Sequence, residues 1–437
     1  MEREKLFDNP FDDVAVRERM PRGGALAAGR QIIAALFDGY GGPVAVGLWD
    51  GRLVIGGEDA PAALWFRKPE ALRELILHSD LVRLGEAYLG GEVEVTGSMQ
   101  VAFDVVDYLE SLSPGPMARL RLLRQALRLP RRAAIRSLPG ARAYARRNST
   151  ASISHHYDVS NDFYRRWLDP EMVYSCAYFR DTQQSLADAQ RDKLDYLCRK
   201  LRLAPGQRLL DIGCGWGALA LWAARHYGVE VHGITLSEQQ CRLARERVER
   251  EGFAGRVRIE LRDYRDLPET VRYDRVVSVG MFEHIGLENF PVYFATAKRV
   301  LKPGGLFLNH GITNDTGWVN CASQRFINRY VFPDGELTRV SVVQAAMEEA
   351  GFEILDVESL RPHYALTLGH WLRGLEAAHA EIARTVNAVT ERTWRLYLAG
   401  SAHYFRQGSL SVYQILAGHC YADQPVPLRR TDLYQAG

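Results

Sequence analysis

The fold of this chain follows from one short stretch, which reads Arg208-Leu209-Leu210-Asp211-Ile212-Gly213-Cys214-Gly215-Trp216-Gly217. The first half is hydrophobic enough for a buried strand. Three glycines then occupy alternate positions before an apolar helix that begins near Ala218. Glycines at a strand-to-helix turn permit positive φ and let a ligand approach the backbone closely. The stretch therefore predicts a nucleotide-like ligand at the carboxyl end of a parallel strand.

The spacing of the glycines and the acid before them narrow the choice of ligand. The spacing is Gly-x-Gly-x-Gly, whereas dinucleotide-binding folds carry Gly-x-Gly-x-x-Gly. Asp211 closes the strand, where its carboxylate can order the turn or meet the ammonium group of an aminoacyl moiety. Gly213 and Gly215 leave room for that moiety. Together these residues favour S-adenosylmethionine over a nicotinamide cofactor.

Strand and helix patterns alternate around this stretch. Helical patterns separate most of five predicted strands, at 208–212, 229–234, 256–261, 274–279 and 305–310. Ser185-Leu186-Ala187-Asp188 resembles a capping box that opens a helix, and the aromatic-rich region 362–418 is predicted to be mainly helical. We therefore predict an α/β fold. It has a doubly wound, Rossmann-like parallel sheet, and the aromatic helical region caps this sheet or lines an apolar pocket.

Polar residues after the second and third strands are candidates for the rest of the cofactor. Methyltransferases commonly place an acid after the second strand for the ribose hydroxyls, but this chain has Gly233-Ile234-Thr235-Leu236-Ser237 there. We expect Thr235 and Gln240 to serve instead, unless the ribose is held in another way. Asp263 follows the third strand and is placed to accept a hydrogen bond from the adenine amino group.

The rest of the chain divides into further segments. We expect a charged leader at 1–25, a small α+β domain in contact with lipid at 26–115, an arginine-rich linker at 116–149 and the catalytic domain at 150–437. The α+β domain is predicted from alternating apolar residues on either side of the turn residues Asp50-Gly51, and from a helix that opens at Pro69.

The arginine-rich segment has two interpretations. Between Met117 and Arg147 there are ten arginines and no acid, and Leu120, Leu123 and Leu127 fall on one helical face. Such a segment is suited to an anionic membrane surface. It is equally compatible with a solvated linker whose leucines pack on a neighbouring domain.

Composition excludes several classes of protein. The 437 residues carry a formal net charge of +2, and no apolar run is long enough to span a bilayer. The amino terminus has no signal-peptide core. The six cysteines occur singly, without zinc spacing. We expect a reduced cytoplasmic protein with no metal site and no nucleic-acid partner, and we leave a homodimer open.

Several further strings converge on one family. They are Ser154-His155-His156-Tyr157-Asp158-Val159-Ser160-Asn161-Asp162-Phe163, Tyr174-Ser175-Cys176-Ala177-Tyr178-Phe179, Phe282-Glu283-His284-Ile285-Gly286, Asn309-His310-Gly311-Ile312 and Pro362-His363-Tyr364. With the glycine turn, they resemble the cyclopropane fatty acid synthase family, which includes the mycolic acid cyclopropane synthases, over about 150–420. The amino-terminal domain and the arginine-rich segment resemble the extra domain of the bacterial phospholipid-acting members.

The resemblance implies a methyl donor, an acceptor and a base. The donor is S-adenosylmethionine, the acceptor is a cis double bond in a lipid acyl chain, and bicarbonate is bound beside the transferred methyl. The implied bicarbonate ligands are Cys176, Glu283, His310, the backbone of Ile312, and Tyr364. The implied cofactor contacts are Tyr174, Ser175, Gly213, Gly215, Thr235, Leu236 and Gln240. The chain departs from the family at Tyr264-Arg265, where mycobacterial relatives have a tryptophan–acid pair, and at Asn309-His310-Gly311-Ile312, where leucine-histidine-threonine-isoleucine is commoner.

The chemistry explains why such residues are needed. Methyl transfer to an alkene leaves a carbocation, which an apolar tunnel and aromatic faces can accommodate. Tyr178, Phe179, Tyr330 and Phe332 are candidates for those faces. Ring closure then requires a base, which is Glu283, His310 or the bound bicarbonate. We expect the enzyme to act on unsaturated phospholipid while bound peripherally to the inner face of an anionic membrane.

Three alternatives to cyclopropanation remain open. A hydride shift in the same cation followed by loss of a proton gives a methylene-branched chain, and a methyl-branched chain is a further product of the same methyl transfer. A relative of this fold could methylate a small amine, although such a substrate needs neither the arginine-rich segment nor the extra domain. A non-catalytic lipid-binding protein would keep the fold without turnover.

Overall fold

The computed structural model describes residues 23–131, 160–315, 321–332 and 335–434. Most of the predicted leader and the second part of the arginine-rich segment lie outside these ranges, as does most of the string Ser154–Phe163. The chain divides into two compact units. Unit 1 comprises Met1–Ala143, Asn320–Tyr330 and Asn387–His403, and unit 2 comprises Tyr144–Val319, Val331–Val386 and Tyr404–Gly437.

The helices and strands of the described residues, numbered in chain order, are α1 (Gly24–Leu36), β1 (Val44–Gly47), β2 (Leu53–Ile55), β3 (Ala62–Phe66), α2 (Pro69–His78), α3 (Leu81–Leu89), β4 (Val93–Gly97), α4 (Phe103–Ser111), α5 (Pro116–Ala126), α6 (Asn161–Arg165), α7 (Leu186–Lys200), β5 (Arg208–Ile212), α8 (Ala218–Tyr227), β6 (Glu230–Thr235), α9 (Glu238–Arg250), β7 (Val257–Leu261), β8 (Tyr273–Val279), α10 (Phe290–Val300), β9 (Leu301–Asn314), α11 (Ala322–Tyr330), α12 (Val340–Glu349), β10 (Phe352–Ser359), α13 (Arg361–Ala377), α14 (His379–Ile382), α15 (Ala388–Gln407) and β11 (Leu410–His419). Short 3₁₀ helices lie at Tyr264–Asp266, Phe282–His284, Leu287–Asn289 and Thr431–Leu433.

Unit 1 contains a four-stranded sheet in the order β2-β1-β3-β4. Strand β1 is antiparallel to β2 and parallel to β3, and β4 is antiparallel to β3. The predicted hairpin is confirmed, since the amide of Gly51 donates to the carbonyl of Leu48 at 2.9 Å between β1 and β2. Helix α2 begins at Pro69 as predicted.

The segment predicted as a linker from residue 116 starts inside unit 1 instead. Its first part forms α5, in which Leu122 and Ala126 are buried. The buried guanidinium of Arg73 donates to the carbonyls of Ala126 and Leu129 at 2.8 and 2.9 Å. Apolar residues at 122, 126 and 129 give this helix a buried stripe, so residues 116–129 pack as part of the unit.

Two later segments, 320–330 and 387–403, complete unit 1, and the second of them makes long-range contacts with the amino-terminal part. Arg392 of α15 donates to the carbonyl of Tyr88 at 3.0 Å and to a carboxylate oxygen of Glu94 at 3.0 Å. The ring nitrogen Nε2 of His403 lies 2.7 Å from a carboxylate oxygen of Asp107. Residues more than 290 positions apart in the chain therefore form the same unit.

Unit 2 is built on a seven-stranded sheet in the order β10-β11-β9-β8-β5-β6-β7. The five strands from β7 to β9 are parallel, and β11 runs antiparallel to both β9 and β10. Alternate residues of β5 enter separate cores, with Leu209 on one face and Leu210 and Ile212 on the other. Both faces of the sheet are therefore covered, and the predicted doubly wound α/β fold is confirmed.

All five predicted strands are present, but two others were not predicted. They are β10 and β11, and β11 occupies residues that were expected to continue a helix to about 418. Strand β11 lies between β9 and β10 and is buried on both faces for much of its length. Its sequence therefore lacks the alternation that marks a half-exposed strand.

None of the helices in the described part of the chain combines the length and the apolar character needed to cross a membrane.

Candidate active site

The glycine turn after β5 has the backbone conformation that its sequence predicts. Gly213, Gly215 and Gly217 have φ values of 84°, 54° and 83°. Residues with a Cβ adopt such values only with strain. The amides of Gly213 and Cys214 both donate to the carbonyl of Ile234 at 2.9 Å. This pair of bonds fixes the turn against the carboxyl end of β6, where open α/β sheets bind their ligands.

A cleft opens at this turn. Eight of the nine residues predicted to contact the cofactor line it, namely Tyr174, Ser175, Asp211, Gly213, Gly215, Thr235, Leu236 and Gln240. They come from the loop before α7, from the ends of β5 and β6, and from the first turn of α9. The sequence motifs thus converge on one cavity.

The ninth residue, Asp263, does not belong to the lining of this cleft. Its carboxylate accepts from the Nε and an Nη nitrogen of Arg265 at 3.0 and 2.6 Å, and from the amide of Arg265 at 2.9 Å. It thereby caps the 3₁₀ helix at 264–266. Its neighbours Arg262 and Tyr264 line the cleft instead.

Thr235 and Gln240 form a hydrogen-bonded pair after β6, where methyltransferases commonly have an acid. The hydroxyl of Thr235 donates to Gln240 Oε1 at 2.9 Å, and the hydroxyl of Ser237 accepts from the Gln240 amide at 3.3 Å as the amino-terminal cap of α9. Both Thr235 and Gln240 are buried. The two predicted ribose ligands therefore form one polar group at the end of β6.

Lys193 is a residue of the cleft that sequence reasoning missed. It lies on α7 with 2% of its surface exposed, and its Nζ donates to the Ser175 hydroxyl at 3.0 Å. Burial lowers the pKa of Lys193 to about 8 and raises the pKa of Asp211 to about 7. A signal was present in the sequence. Lys193 shares the helical stripe of Gln190, Leu194 and Leu197, where a solvated lysine has no place.

Glu283 lies beside the cleft, between the lining residues Met281 and His284. Its Oε1 accepts from the amide of Ile312 at 3.3 Å. Its Oε2 is buried and has no hydrogen-bond partner among the described residues. Burial raises the pKa of Glu283 to about 7. This carboxyl can therefore gain and lose a proton near neutral pH.

His310 is held in a neutral form on β9. Burial lowers its pKa to about 3, and the charges of Lys193 and Lys200 act in the same direction. The side-chain nitrogen of Gln414 lies 3.2 Å from its Nδ1, which places the ring proton on Nε2. That Nε2 is buried without a partner in the described part of the chain. The ring is thus prepared to donate one hydrogen bond.

Cys176 and Tyr364 are connected to Ile312 through Leu360. The Cys176 sulfur lies 3.8 Å from the Leu360 carbonyl, which also accepts from the amide of Tyr364 at 3.0 Å. The Leu360 amide donates to Val412, and Val412 pairs with Ile312 in the sheet. Burial raises the pKa of the Cys176 thiol, which disfavours the thiolate that a nucleophile would need.

An aromatic path connects this group to the cleft. The ring of Tyr364 lies 5.9 Å from Trp371, which lies 5.0 Å from the cleft residue Tyr174, and Phe405 packs 4.6 Å from Tyr364. All four rings are largely shielded from water or line the cleft. A continuous series of aromatic contacts therefore runs from the cleft residue Tyr174 to Tyr364 and Phe405.

The other aromatic candidates have separate surroundings. Tyr178 stacks on Tyr196 and His363 with centroids 4.4 and 4.8 Å apart. Phe179 stacks on His370 at 5.5 Å, and Phe332 lies 5.0 Å from the cleft residue His284. Tyr330 belongs to unit 1, where its hydroxyl donates to Glu86 at 2.8 Å. Of these four, Phe332 alone packs on a residue of the cleft lining.

Comparison with known proteins agrees with this geometry. Residues 144–415 match the family described as mycolic acid cyclopropane synthetase, a range that includes every residue of the candidate site. Residues 30–109 match a domain of unknown function.

Individual relatives extend the match over most of the chain. A probable fatty acid methyltransferase of Pseudomonas putida is 44% identical over 398 residues, covering 90% of this chain and 96% of that protein. The cyclopropane-fatty-acyl-phospholipid synthase of Escherichia coli K12 is 43% identical over 261 residues, covering 60% of this chain and 66% of that protein. The structure of mycolic acid cyclopropane synthase CmaA1 in complex with SAH and CTAB is 34% identical, with a TM-score of 0.59, and covers 62% of this chain and 99% of that one.

Proposed function

Since the chain belongs to the mycolic acid cyclopropane synthetase family and is an S-adenosylmethionine-dependent methyltransferase, we propose that it converts a cis double bond in an acyl chain of membrane phospholipid into a cyclopropane, with bicarbonate as the base. The observation that carries the proposal is the carboxyl of Glu283. It is buried beside the donor cleft, one of its oxygens accepts from Ile312, and the other has no partner among the described residues.

The residues of the cleft fit the donor. S-Adenosylmethionine supplies an electrophilic methyl group on a sulfonium sulfur. Asp211 and the positive-φ glycines suit its aminoacyl end, and the Thr235–Gln240 pair suits the ribose. The neighbour CmaA1 was solved with SAH, the demethylated form of this donor.

The acceptor chemistry requires an apolar space and a base. The double bond gains the methyl and becomes a carbocation, and loss of a proton from that methyl closes the ring. In this proposal the contiguous rings of Tyr174, Trp371 and Tyr364 form part of that apolar space and keep competing water out. Glu283, with its pKa near 7, is suited to receive the released proton at neutral pH.

Bicarbonate fits the buried polar atoms around Glu283 and His310. A small anion that carries one hydrogen needs both donors and an acceptor. His310 is neutral with its proton on Nε2, and Glu283 offers an oxygen without a partner among the described residues. In this proposal His310 and Tyr364 donate to the anion, the backbone N–H of Ile312 is shared between the anion and Glu283 Oε1, Cys176 packs against the anion, and Glu283 takes its hydroxyl proton.

A second product is favoured by one relative. The Pseudomonas putida protein, which matches 90% of this chain, is named a probable fatty acid methyltransferase. A hydride shift before proton loss would give a methylene-branched acyl chain from the same cation. The departure from threonine to Gly311, next to Glu283, falls where the base and the cation would meet.

We further propose that the protein reaches its substrate from the cytoplasmic face of an anionic membrane, through α5. Met117, Leu120 and Leu127 are exposed by 68%, 41% and 63%, although they are apolar. The exposed arginines 119, 121, 124 and 128 stand beside them on the same segment. Apolar side chains flanked by cations match the boundary between acyl chains and anionic headgroups.

One experiment tests the proposed reaction. The protein is incubated with S-adenosylmethionine labelled with ¹³C in the methyl group and with vesicles of a monounsaturated phospholipid, and the lipid is analysed by NMR. Cyclopropane resonances are expected. Vinylidene resonances in place of cyclopropane resonances would show that the methylene-branched chain is the product. An unlabelled lipid, with label in an added small amine or nowhere, would overturn the proposal.

A further inference from the structure

Among the described residues, Lys193 lacks the ion-pair partners that Lys200, on the same helix, has. Helix α7 carries two buried lysines, Lys193 at 2% and Lys200 at 1% exposure. The Nζ of Lys200 forms ion pairs with Asp356 and Glu358. Within the described residues, Lys193 forms no ion pair with any carboxylate, and the Ser175 hydroxyl is its hydrogen-bond acceptor. An ammonium has three donors, so two of them have no acceptor here.

A buried ammonium without a counterion is costly and calls for an anionic ligand. Lys193 lines the donor cleft together with Ser175, Asp211 and Gly213. The nearest carboxylates act on it at longer range, from Asp211 at the end of β5 and from Asp169 in the loop before α7. Asp169 is already occupied, because it accepts from the amides of Glu171 and Val173 at 2.9 Å.

Asp211 is a buried carboxyl that likewise lacks an ion-pair partner among the described residues. It is 2% exposed, lines the same cleft and forms no ion pair within the described residues. The cleft therefore holds one unpaired cation and one unpaired anion close to the glycine turn. The aminoacyl end of the methyl donor carries both a carboxylate and an ammonium, so one zwitterion can complete both residues.

We propose that Lys193 binds the carboxylate of the donor's methionyl group, while Asp211 faces its ammonium. The Ser175 hydroxyl holds the Lys193 ammonium in position. This inference rests on the methyl donor and is independent of the acceptor lipid. It assigns to Lys193 a role in recognising the aminoacyl end and not in the transfer step.

The test compares two ligands that differ by the carboxylate alone. The binding of S-adenosylmethionine and of its decarboxylated form is measured by calorimetry, without lipid, for the wild type, Lys193→Met and Lys200→Met. The wild type is expected to prefer S-adenosylmethionine. Lys193→Met should lower that preference by roughly 10- to 100-fold, the range for a hydrogen bond to a charged group. Lys200→Met should leave the preference unchanged.

Two further variants separate recognition from structure. Lys193→Arg keeps the charge and should retain part of the preference. Asp211→Asn should weaken both ligands to a similar extent, because both retain the ammonium. If Lys193→Met weakened both ligands equally, or neither, Lys193 would be a structural residue and the proposal would fail. If the wild type bound neither ligand, the donor assignment itself would fail.

A pH series gives an independent readout. The groups that face Lys193 are Asp169, Asp211 and Cys176, with His310 at longer range. The ammonium binds the carboxylate only while protonated. The wild-type preference should therefore fall as the pH rises above about 8, the pKa of Lys193 before ligand binding. The α-amino group of S-adenosylmethionine has a pKa of about 8 itself, so Lys193→Met should show a smaller fall that comes from this group alone. Equal falls in the wild type and in Lys193→Met would contradict the assignment.

Discussion

Burial of the Glu283 carboxyl lowers the stability of the folded protein, but it also gives this carboxyl a pKa suited to a base. A carboxyl in a dry site prefers to be neutral, and burial raises its pKa from the ordinary value of 4.5 to about 7. The same shift gives it a proton affinity suited to a base at neutral pH. No cation among the described residues forms an ion pair with it, whereas a purely structural buried carboxylate would normally have one.

Replacing Glu283 by Gln should abolish most turnover while donor binding is kept. Glutamine preserves the shape and the acceptor for the Ile312 amide, but it cannot take a proton. We expect the turnover number to fall by at least about 100-fold, the usual contribution of a general base. Calorimetry with S-adenosylmethionine provides the control, and a matching loss of donor affinity would contradict the assigned role.

The same variant should be more stable than the wild type in alkaline solution. The folded-state pKa of Glu283 is raised, so its contribution to stability is complete below pH 4.5 and is lost as the pH rises through about 7. The glutamine side chain of the variant titrates in neither the folded nor the unfolded state. The stability advantage of Glu283→Gln should therefore grow by about 2 kcal/mol between pH 5 and pH 8, measured by urea unfolding. A constant difference across this range would show that the carboxyl is not perturbed.

Single residues also show where sequence reasoning reaches its limit. The predicted cofactor residues occupy recognisable strings at strand ends, and eight of the nine line the cleft. Lys193 was missed because a lysine within a helix is normally assumed to reach solvent. Asp263 was expected at the adenine, since sequence order cannot reveal that Arg265, two residues later, takes both carboxylate oxygens.

Strand β9 packs tightly against the 3₁₀ helix at 282–284, next to the candidate site. A Cβ added at Gly311 would lie 2.3 Å from a ring carbon of Phe282 and 2.6 Å from Glu283 Oε2. Glycine at this position lets the carboxyl lie directly against the strand. A side chain here would have to displace the base or the ring that packs beside it.

Gly311→Ala is therefore expected to lower turnover by roughly 100-fold through misplacement of Glu283, with donor affinity little changed. Turnover and donor binding are measured as for the Glu283 variant. Gly255→Ala is the matched control, because a Cβ at Gly255 meets no atom of the structure within 4 Å. Unchanged turnover in Gly311→Ala would mean that the carboxyl position is not critical.

The elements that sequence predicted and those it missed differ in how local their determinants are. The β5 turn, the hairpin of unit 1 and the start of α7 each depend on a few adjacent residues, such as the cap in which Ser185 accepts from the Asp188 amide at 3.1 Å. Strand β11 depends on partners far away in the chain, at 301–314 and 352–359. Its helical neighbours biased the prediction toward helix.

The distribution of charge over the protein leads to a prediction about salt. The net charge is only +2, yet ten arginines and no acid lie between Met117 and Arg147. Binding to anionic vesicles should weaken strongly as salt is raised from 0.1 to 1 M, because the screening length falls from about 10 to 3 Å. Cosedimentation measures the effect, with zwitterionic vesicles as control. Binding that does not depend on salt would contradict a role of these arginines at the membrane.

Unit 1 has a consequence for the order in which the chain can fold. Its last segment, 387–403, supplies Arg392 against Tyr88 and Glu94 and His403 against Asp107. The amino-terminal residues Tyr88, Glu94 and Asp107 leave the ribosome first, but their partners are synthesised more than 290 positions later. At about 5–20 residues per second this delay is on the order of tens of seconds. During that interval the nascent first unit exposes surface that α15 will cover, and a host that makes this protein must keep it from aggregating.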